Sequence, residues 1–305
     1  MKESRKQSYL AFIGAVLLFG TIGIFRRFIP LSSGMLAFLR GILGGIFLLL
    51  FRKGKNASGL QKAGLPSRTV WVLILTGCLI GLNWMLLFEA YNYTSVPTAT
   101  LCYYMQPTIV LLLSPLIFRE RLTGKKLVCA GLAVLGMVFV SGVMEGGSRT
   151  GSDLKGIACG LGAAALYSCI VILNKKTPVE DVYRKTIIEL FAAGAVMIPY
   201  LLVTEREALA GGLSSVSFDP VIILLVLTVG IVHTGIAYAL YFAGMQGLKA
   251  QSVAVLSYLD PVSALLLAAV ILGERLSLWG IVGAVLILGA ALVSELDPDE
   301  KNIEN

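Results

Sequence analysis

The sequence predicts an all-α membrane protein of ten transmembrane helices, built as two inverted-topology five-helix repeats with both termini cytoplasmic. Three observations predict it: a composition too apolar for water, ten apolar runs of spanning length, and a stretch that recurs 154 residues later. Of 305 residues, 57% are hydrophobic and 14% charged, where a soluble domain carries about 25% charge. A chain of this size needs a polar surface in water, and lipid removes that need. The net charge of +7 sits in short clusters between the apolar runs, which suits loops facing anionic headgroups rather than nucleic acid. All five cysteines fall inside apolar runs, with no CxxC pair and a single His, so neither disulfides nor a metal site nor a cofactor is expected.

A helix needs about 20 apolar residues to cross the bilayer core. The first run, 8–25, is long for a signal-peptide core and ends in Arg26-Arg27 without a small-x-small cleavage site, so it reads as a retained span. The second, 34–51, stops at Arg52-Lys53-Gly54-Lys55. The third and fourth cover 69–90 and 97–118, and the fifth, 125–143, ends before Glu145-Gly146-Gly147. The sixth, 154–174, runs into Lys175-Lys176-Thr177-Pro178. Four more follow at 185–203, 220–243, 250–272 and 278–295. No run alternates at period two, which disfavours a β-barrel. Thr123 and Ser277 read as N-caps of the fifth and tenth spans, and Gly77/Gly81 and Gly156/Gly160 have the spacing that lets helices approach closely. With the N-terminus cytoplasmic, 18 Lys/Arg fall inside and 6 outside, in the direction the positive-inside rule requires.

Shifted by 154 residues, Tyr104–Leu122 lies on Tyr258–Leu276 without a gap, and nine of nineteen positions are identical. They include Tyr104/Tyr258, Pro107/Pro261 and Glu120-Arg121-Leu122/Glu274-Arg275-Leu276. The register continues back through Phe88/Phe242 and Gly81/Gly235. Two related halves, 8–143 and 154–295, are implied. Five spans per half is odd, so the second copy enters the membrane inverted. The charges agree: Arg119, Arg121, Lys125 and Lys126 stand where the second copy has Gly273, Arg275, Trp279 and Gly280.

Five-helix halves, an Arg early in the second span (Met35-Leu36-Ala37-Phe38-Leu39-Arg40), a Pro midway along the fourth and a Glu-Arg-Leu-[Thr/Ser] turn resemble the EamA-like family of the drug/metabolite transporter superfamily. The resemblance covers 8–295 in two copies. It implies a bacterial inner-membrane carrier, often an exporter of amino acids or other metabolites. One departure is that Arg40 has no basic counterpart in the seventh span, where Glu189 sits near the equivalent place.

Several residues can carry the chemistry. Pro107 and Pro261 fall near the middle of the fourth and ninth spans, where a missing N–H and a ring clash kink the helix. Inverted-repeat carriers place their sites beside such breaks. Immediately before them stand Gln106 and Asp260. A mid-membrane Asp costs about 2.5–3.5 kcal/mol on insertion scales and so faces a cavity or a partner. It could bind a substrate ammonium group, exchange a proton, or bond locally at the kink. Arg40 keeps its charge when buried, and Glu89 lies at similar depth, which makes a structural Arg40–Glu89 ion pair the favoured reading over a carboxylate-binding role. Asn83, Trp84, Tyr103, Tyr104, His233, Tyr238, Tyr241, Ser257 and Tyr258 gather on the spans that flank the kinks. Tyr103 and Tyr104 are about 100° apart on a helix, so both should not line one narrow seam. Ser257 and Asp260 share a face. His233 reads as a satisfied buried histidine.

The expected function is a secondary carrier working by alternating access, with a small-molecule metabolite and the lipid bilayer as partners and protons as a candidate coupling ion. No GxxxxGK[ST] motif appears. A single His, no HExxH and few intramembrane carboxylates argue against an intramembrane enzyme, and a channel, scaffold or regulatory membrane protein is the alternative. A reporter fused after Asn305 is expected in the cytoplasm; a periplasmic readout would overturn the topology.

Overall fold

The computed structural model describes residues 2–56, 65–94, 96–119, 122–140, 153–205, 219–272 and 277–295. Backbone groups in lipid have no water to bond, and a helix satisfies them within one segment. Accordingly, every regular element among these residues is helical. In chain order they are α1 (Lys2–Arg27), α2 (Ser33–Asn56), α3 (Ser67–Tyr93), α4 (Val96–Tyr103), α5 (Gln106–Phe118), α6 (Gly124–Val140), α7 (Asp153–Lys176), α8 (Val182–Thr204) and α9 (Pro220–Gly230). A π-helical stretch, Ile231–Ile236, leads into α10 (Ala237–Gln246), followed by α11 (Ala250–Ser257), α12 (Leu259–Leu272) and α13 (Leu278–Glu295). Six windows are long and apolar enough to cross a membrane, from Gly34–Phe51 to Pro220–Gln246. The other apolar runs fall on α1, α6, the α11–α12 pair and α13.

Caps mark several starts. The Thr123 hydroxyl accepts from the Lys126 amide at 3.3 Å, and Ser277 accepts from Gly280 at 3.0 Å, at matching places before α6 and α13. Asp181 and Asp219 cap α8 and α9 in the same way. The Glu-Arg-Leu turns fall largely on residues 120–121 and 273–276, outside the described residues.

The two central prolines break their helices, but upstream of the ring. Proline cannot donate to the carbonyl four residues back, which is Tyr103 for Pro107 and Ser257 for Pro261. Those are the last residues of α4 and α11. Tighter bonds spanning three residues bridge each break, Met105 to Cys102 and Tyr258 to Val255, both at 3.2 Å.

Helix α3 packs on α7 and α8, α1 on α10 and α12, α2 on α8 and the π-helical stretch, α5 on α11, and α6 on α13. Glycines set the closest crossings. A methyl added to Gly41 of α2 would stand 2.9 Å from the Leu190 carbonyl oxygen and 3.0 Å from the Gly194 nitrogen of α8. Gly77 and Gly81 of α3 likewise meet the backbone of Glu189 and Ala193.

Polarity is reversed relative to a protein in water. Leu116, Val203, Val270 and Leu154 are exposed, whereas Arg40, Asn83, Gln106, Asn174, Lys185, Glu189 and His233 are buried. An apolar outside with a polar interior fits lipid as the surrounding solvent. Lys185, the first residue of the seventh apolar run, is wholly buried. Replacing Gly41 by Leu should destabilise the bundle by about 1–3 kcal/mol through overpacking, read as a lower thermal midpoint and a smaller monodisperse peak in detergent. An unchanged midpoint would mean that this crossing is not tight.

Candidate transport cavity

The half-helices leave a small cavity at their breaks, with room in this conformation for about one water molecule. Its walls come from α1 (Val16, Phe19), the α4–α5 break (Tyr103, Tyr104, Gln106), α7 (Tyr167), α10 (Tyr241) and the α11–α12 break (Ser257, Asp260). Six candidates from the sequence therefore meet here: Tyr103, Tyr104, Gln106, Tyr241, Ser257 and Asp260. Pro107 and Pro261 are buried next to them. Ser257 and Asp260 both line the cavity, one from each side of the α11–α12 break.

Tyr103 and Tyr104 both line the cavity, against the expectation from helical geometry. The 100° rule fails because α4 ends at Tyr103 and Tyr104 lies in the turn; the two rings meet edge to face at 5.5 Å. The Tyr104 hydroxyl hydrogen-bonds the Asp260 carboxyl. The Ser257 hydroxyl donates to the Val253 carbonyl at 2.7 Å, and the buried Tyr241 hydroxyl lies beside those of Tyr167 and Ser257. Ser168 of α7 donates to the Gln106 carbonyl at 3.2 Å, which ties α7 to the start of α5.

Other candidates lie elsewhere. Tyr258 turns away from the cavity: its hydroxyl meets Thr108 Oγ1 at 2.6 Å, and its ring packs with Cys129, Met137 and Ile287. Asn83 donates to the Ala163 carbonyl at 2.7 Å and so joins α3 to α7. His233 meets the Thr21 hydroxyl and the Thr228 carbonyl and packs on Phe25. Trp84 and Tyr238 form a second layer behind the cavity, with ring centroids 6.2 Å apart.

The expected Arg40–Glu89 ion pair is not formed. Arg40 Nε donates to Thr234 Oγ1 in the π-helical stretch at 3.1 Å, and its guanidinium sits 4.7 Å over the Trp84 ring. Glu89 instead accepts from the Tyr200 hydroxyl at 3.0 Å. Five residues, about 7.5 Å of helix, separate Trp84 from Glu89 along α3, which puts the carboxylate beyond the guanidinium. The widened π turn presents Thr234 to Arg40, and residue spacing gives no warning of such a turn.

Aromatic rings connect the two places. Trp84 contacts Tyr238, Tyr238 contacts Phe19 at 5.2 Å, Phe19 contacts Tyr241 at 5.8 Å, Tyr241 contacts Tyr167 at 6.5 Å, and Tyr167 contacts Tyr103 at 5.9 Å. Sequence reasoning missed Val16, Phe19 and Tyr167, since aromatic and aliphatic residues in an apolar run look the same whether they face lipid or a cavity.

A helical bundle that is apolar outside and polar at its centre defines a multi-pass membrane protein. Comparison with known proteins makes the class definite: the chain belongs to the EamA-like transporter family, whose model matches residues 6–142 and again 154–295. It is a small-molecule transporter of the cell membrane. The uncharacterized transporter YxxF of Bacillus subtilis (strain 168) is 30% identical over 294 residues, covering 95% of this chain and 91% of that protein. A probable amino-acid metabolite efflux pump of Salmonella typhimurium (strain LT2) is 30% identical over 200 residues, 64% of this chain and 66% of its own length. Protein PecM of Dickeya dadantii (strain 3937) is 26% identical over 90% of this chain and 86% of its own. A solved crystal structure superposes with a TM-score of 0.81 at 22% identity, covering 95% of this chain and 98% of that one, which speaks for the fold.

Arg40→Ala should remove a charge-assisted hydrogen bond and a desolvated cation–π contact, at a cost of about 2 kcal/mol or more. The thermal midpoint in detergent should fall and folded yield should drop. Normal yield and midpoint together with a large loss of substrate affinity would assign Arg40 to binding instead.

Proposed function

We propose that the protein is a secondary carrier that exports small amine-bearing metabolites, amino acids among them, by alternating access. The observation that carries this reading is the cavity at the two proline breaks, where the Asp260 carboxylate faces an aromatic wall. A carboxylate beside tyrosine faces suits an ammonium group through both Coulomb attraction and cation–π contact. Gln106 and the Tyr241 hydroxyl add polar groups that could orient the rest of a small substrate. The efflux-pump name of the Salmonella relative supports amino acids and outward transport.

Counting each broken pair as one span and α9 through α10 as one gives ten spans, with both termini cytoplasmic by the charge rule. The two family matches are then the two inverted halves. Packing supports this: under the 154-residue shift, the α3–α7 contact corresponds to α10–α1, and α2–α8 and α6–α13 each join counterparts. In such an arrangement the halves rock about the shared site. The coupling ion is a proton in this reading.

Asp260→Asn should reduce exchange of a 14C-labelled amino-acid mixture in proteoliposomes to the level of protein-free vesicles, with the protein still folded and monodisperse. Exchange at the wild-type rate would remove Asp260 from the mechanism.

A further inference from the structure

A second polar cluster lies inside the bundle, away from the cavity lining. Lys185 and Glu189 of α8 are wholly buried, and Asn174 of α7 is 1% exposed. Their four-residue spacing puts Lys185 and Glu189 on one helix face. Glu189 lies two turns into α8, about 10 Å of helix from its start. A purely structural pair would close there. Instead, no atom of the Glu189 carboxyl or of the Asn174 side-chain amide closes a hydrogen bond, although the Asn174 amide and the Lys185 ammonium both stand near enough to act on the carboxyl. Lys185 Nζ donates to the Asn174 main-chain carbonyl at 3.3 Å and stands 5.2 Å from the centre of the Phe242 ring. A buried carboxylate left open in this way, among groups able to serve it, marks a functional site in a membrane protein.

We propose that Glu189, with Lys185 and Asn174, is the proton-binding site that couples transport, separate from the substrate carboxylate Asp260. The proposal rests on the carrier reading above. Its chemistry is that each protonation state finds partners among the same side chains. When a proton from water binds, an O–H bond forms on Glu189, and the neutral acid donates to the Asn174 amide oxygen. When the proton returns to water, the carboxylate accepts from the Asn174 amide N–H and from the Lys185 ammonium. No other species is consumed. A metal cation fits poorly, because the Lys185 ammonium already occupies the cationic place and the hard cations need several oxygen ligands.

The groups that face Glu189 are few. Lys185 comes from its own helix, Asn174 from α7, and Tyr238 from α10 is within electrostatic reach. Helix α3 meets Glu189 with the backbone of Gly77. Arg40 of α2 is turned towards Thr234 and Trp84. Connection to the cavity runs through one aromatic layer: Phe242, under Lys185, contacts Tyr241 at 5.6 Å, and Tyr241 lines the cavity. A change of charge at Glu189 is therefore felt one ring away from the substrate.

Two measurements test this on the purified full chain. In acid-minus-alkaline infrared difference spectra, D260N should keep a protonated-carboxyl band that the double variant with E189Q loses and the one with E189D shifts. A band that survives E189Q unchanged overturns the proposal, and if the E189Q protein does not fold, an unmoved band in E189D does so. In proteoliposomes with a 14C-labelled amino-acid mixture, E189Q should keep counterflow but lose accumulation driven by an acid interior. Retention of both, loss of both in a folded variant, or wild-type accumulation driven by sodium rather than by the pH gradient would each overturn it. Absence of wild-type counterflow would instead count against the carrier reading and leave the infrared result to decide whether Glu189 binds a proton.

Discussion

A backbone carbonyl in the bilayer interior must find a donor within the protein, because lipid supplies none. Pro107 and Pro261 withhold that donor at two related points, and much of the interior is arranged around the result. The helices end at Tyr103 and Ser257, restart within three residues, and leave their broken ends pointing at a common space. Side chains that an unbroken helix would spread around its circumference are brought to one wall. Tyr103 and Tyr104 are the clearest instance, since only the intervening turn lets both face the same cavity.

Around this space the polar residues divide by what they meet. Asn83, Ser168 and His233 bond to neighbouring helices and hold the bundle in register. Arg40 is buried between a tryptophan face and a hydroxyl of the π turn, which suits a guanidinium that cannot shed its charge. Asp260 meets Tyr104 and the cavity. Glu189 and Asn174 face one another inside the bundle without closing a hydrogen bond, with Lys185 beside them.

Family membership agrees with this division. The EamA-like model matches the chain twice, and relatives named as transporters cover most of its length. The matches identify a transporter; the substrate has to be argued from the cavity. The proposed ammonium-bearing substrate rests on a carboxylate, an amide and a phenol set against aromatic walls.

The sequence by itself determined the helical class, the membrane setting, the positions of both prolines, the N-caps at Thr123 and Ser277, and Asp260 and Gln106 as cavity candidates. These follow from hydropathy, local capping chemistry and a repeat, all of which act over short stretches of chain. Only the tertiary structure decided which faces meet. It separated Arg40 from Glu89, turned Tyr258 into the packing between helices, recruited Phe19 and Tyr167 to the cavity, and buried Lys185 beside Glu189. The physical reason is that a lipid-facing wall and a cavity wall are equally apolar in sequence. The direction of a side chain in a bundle is set by helix crossings, breaks and π turns contributed by distant segments.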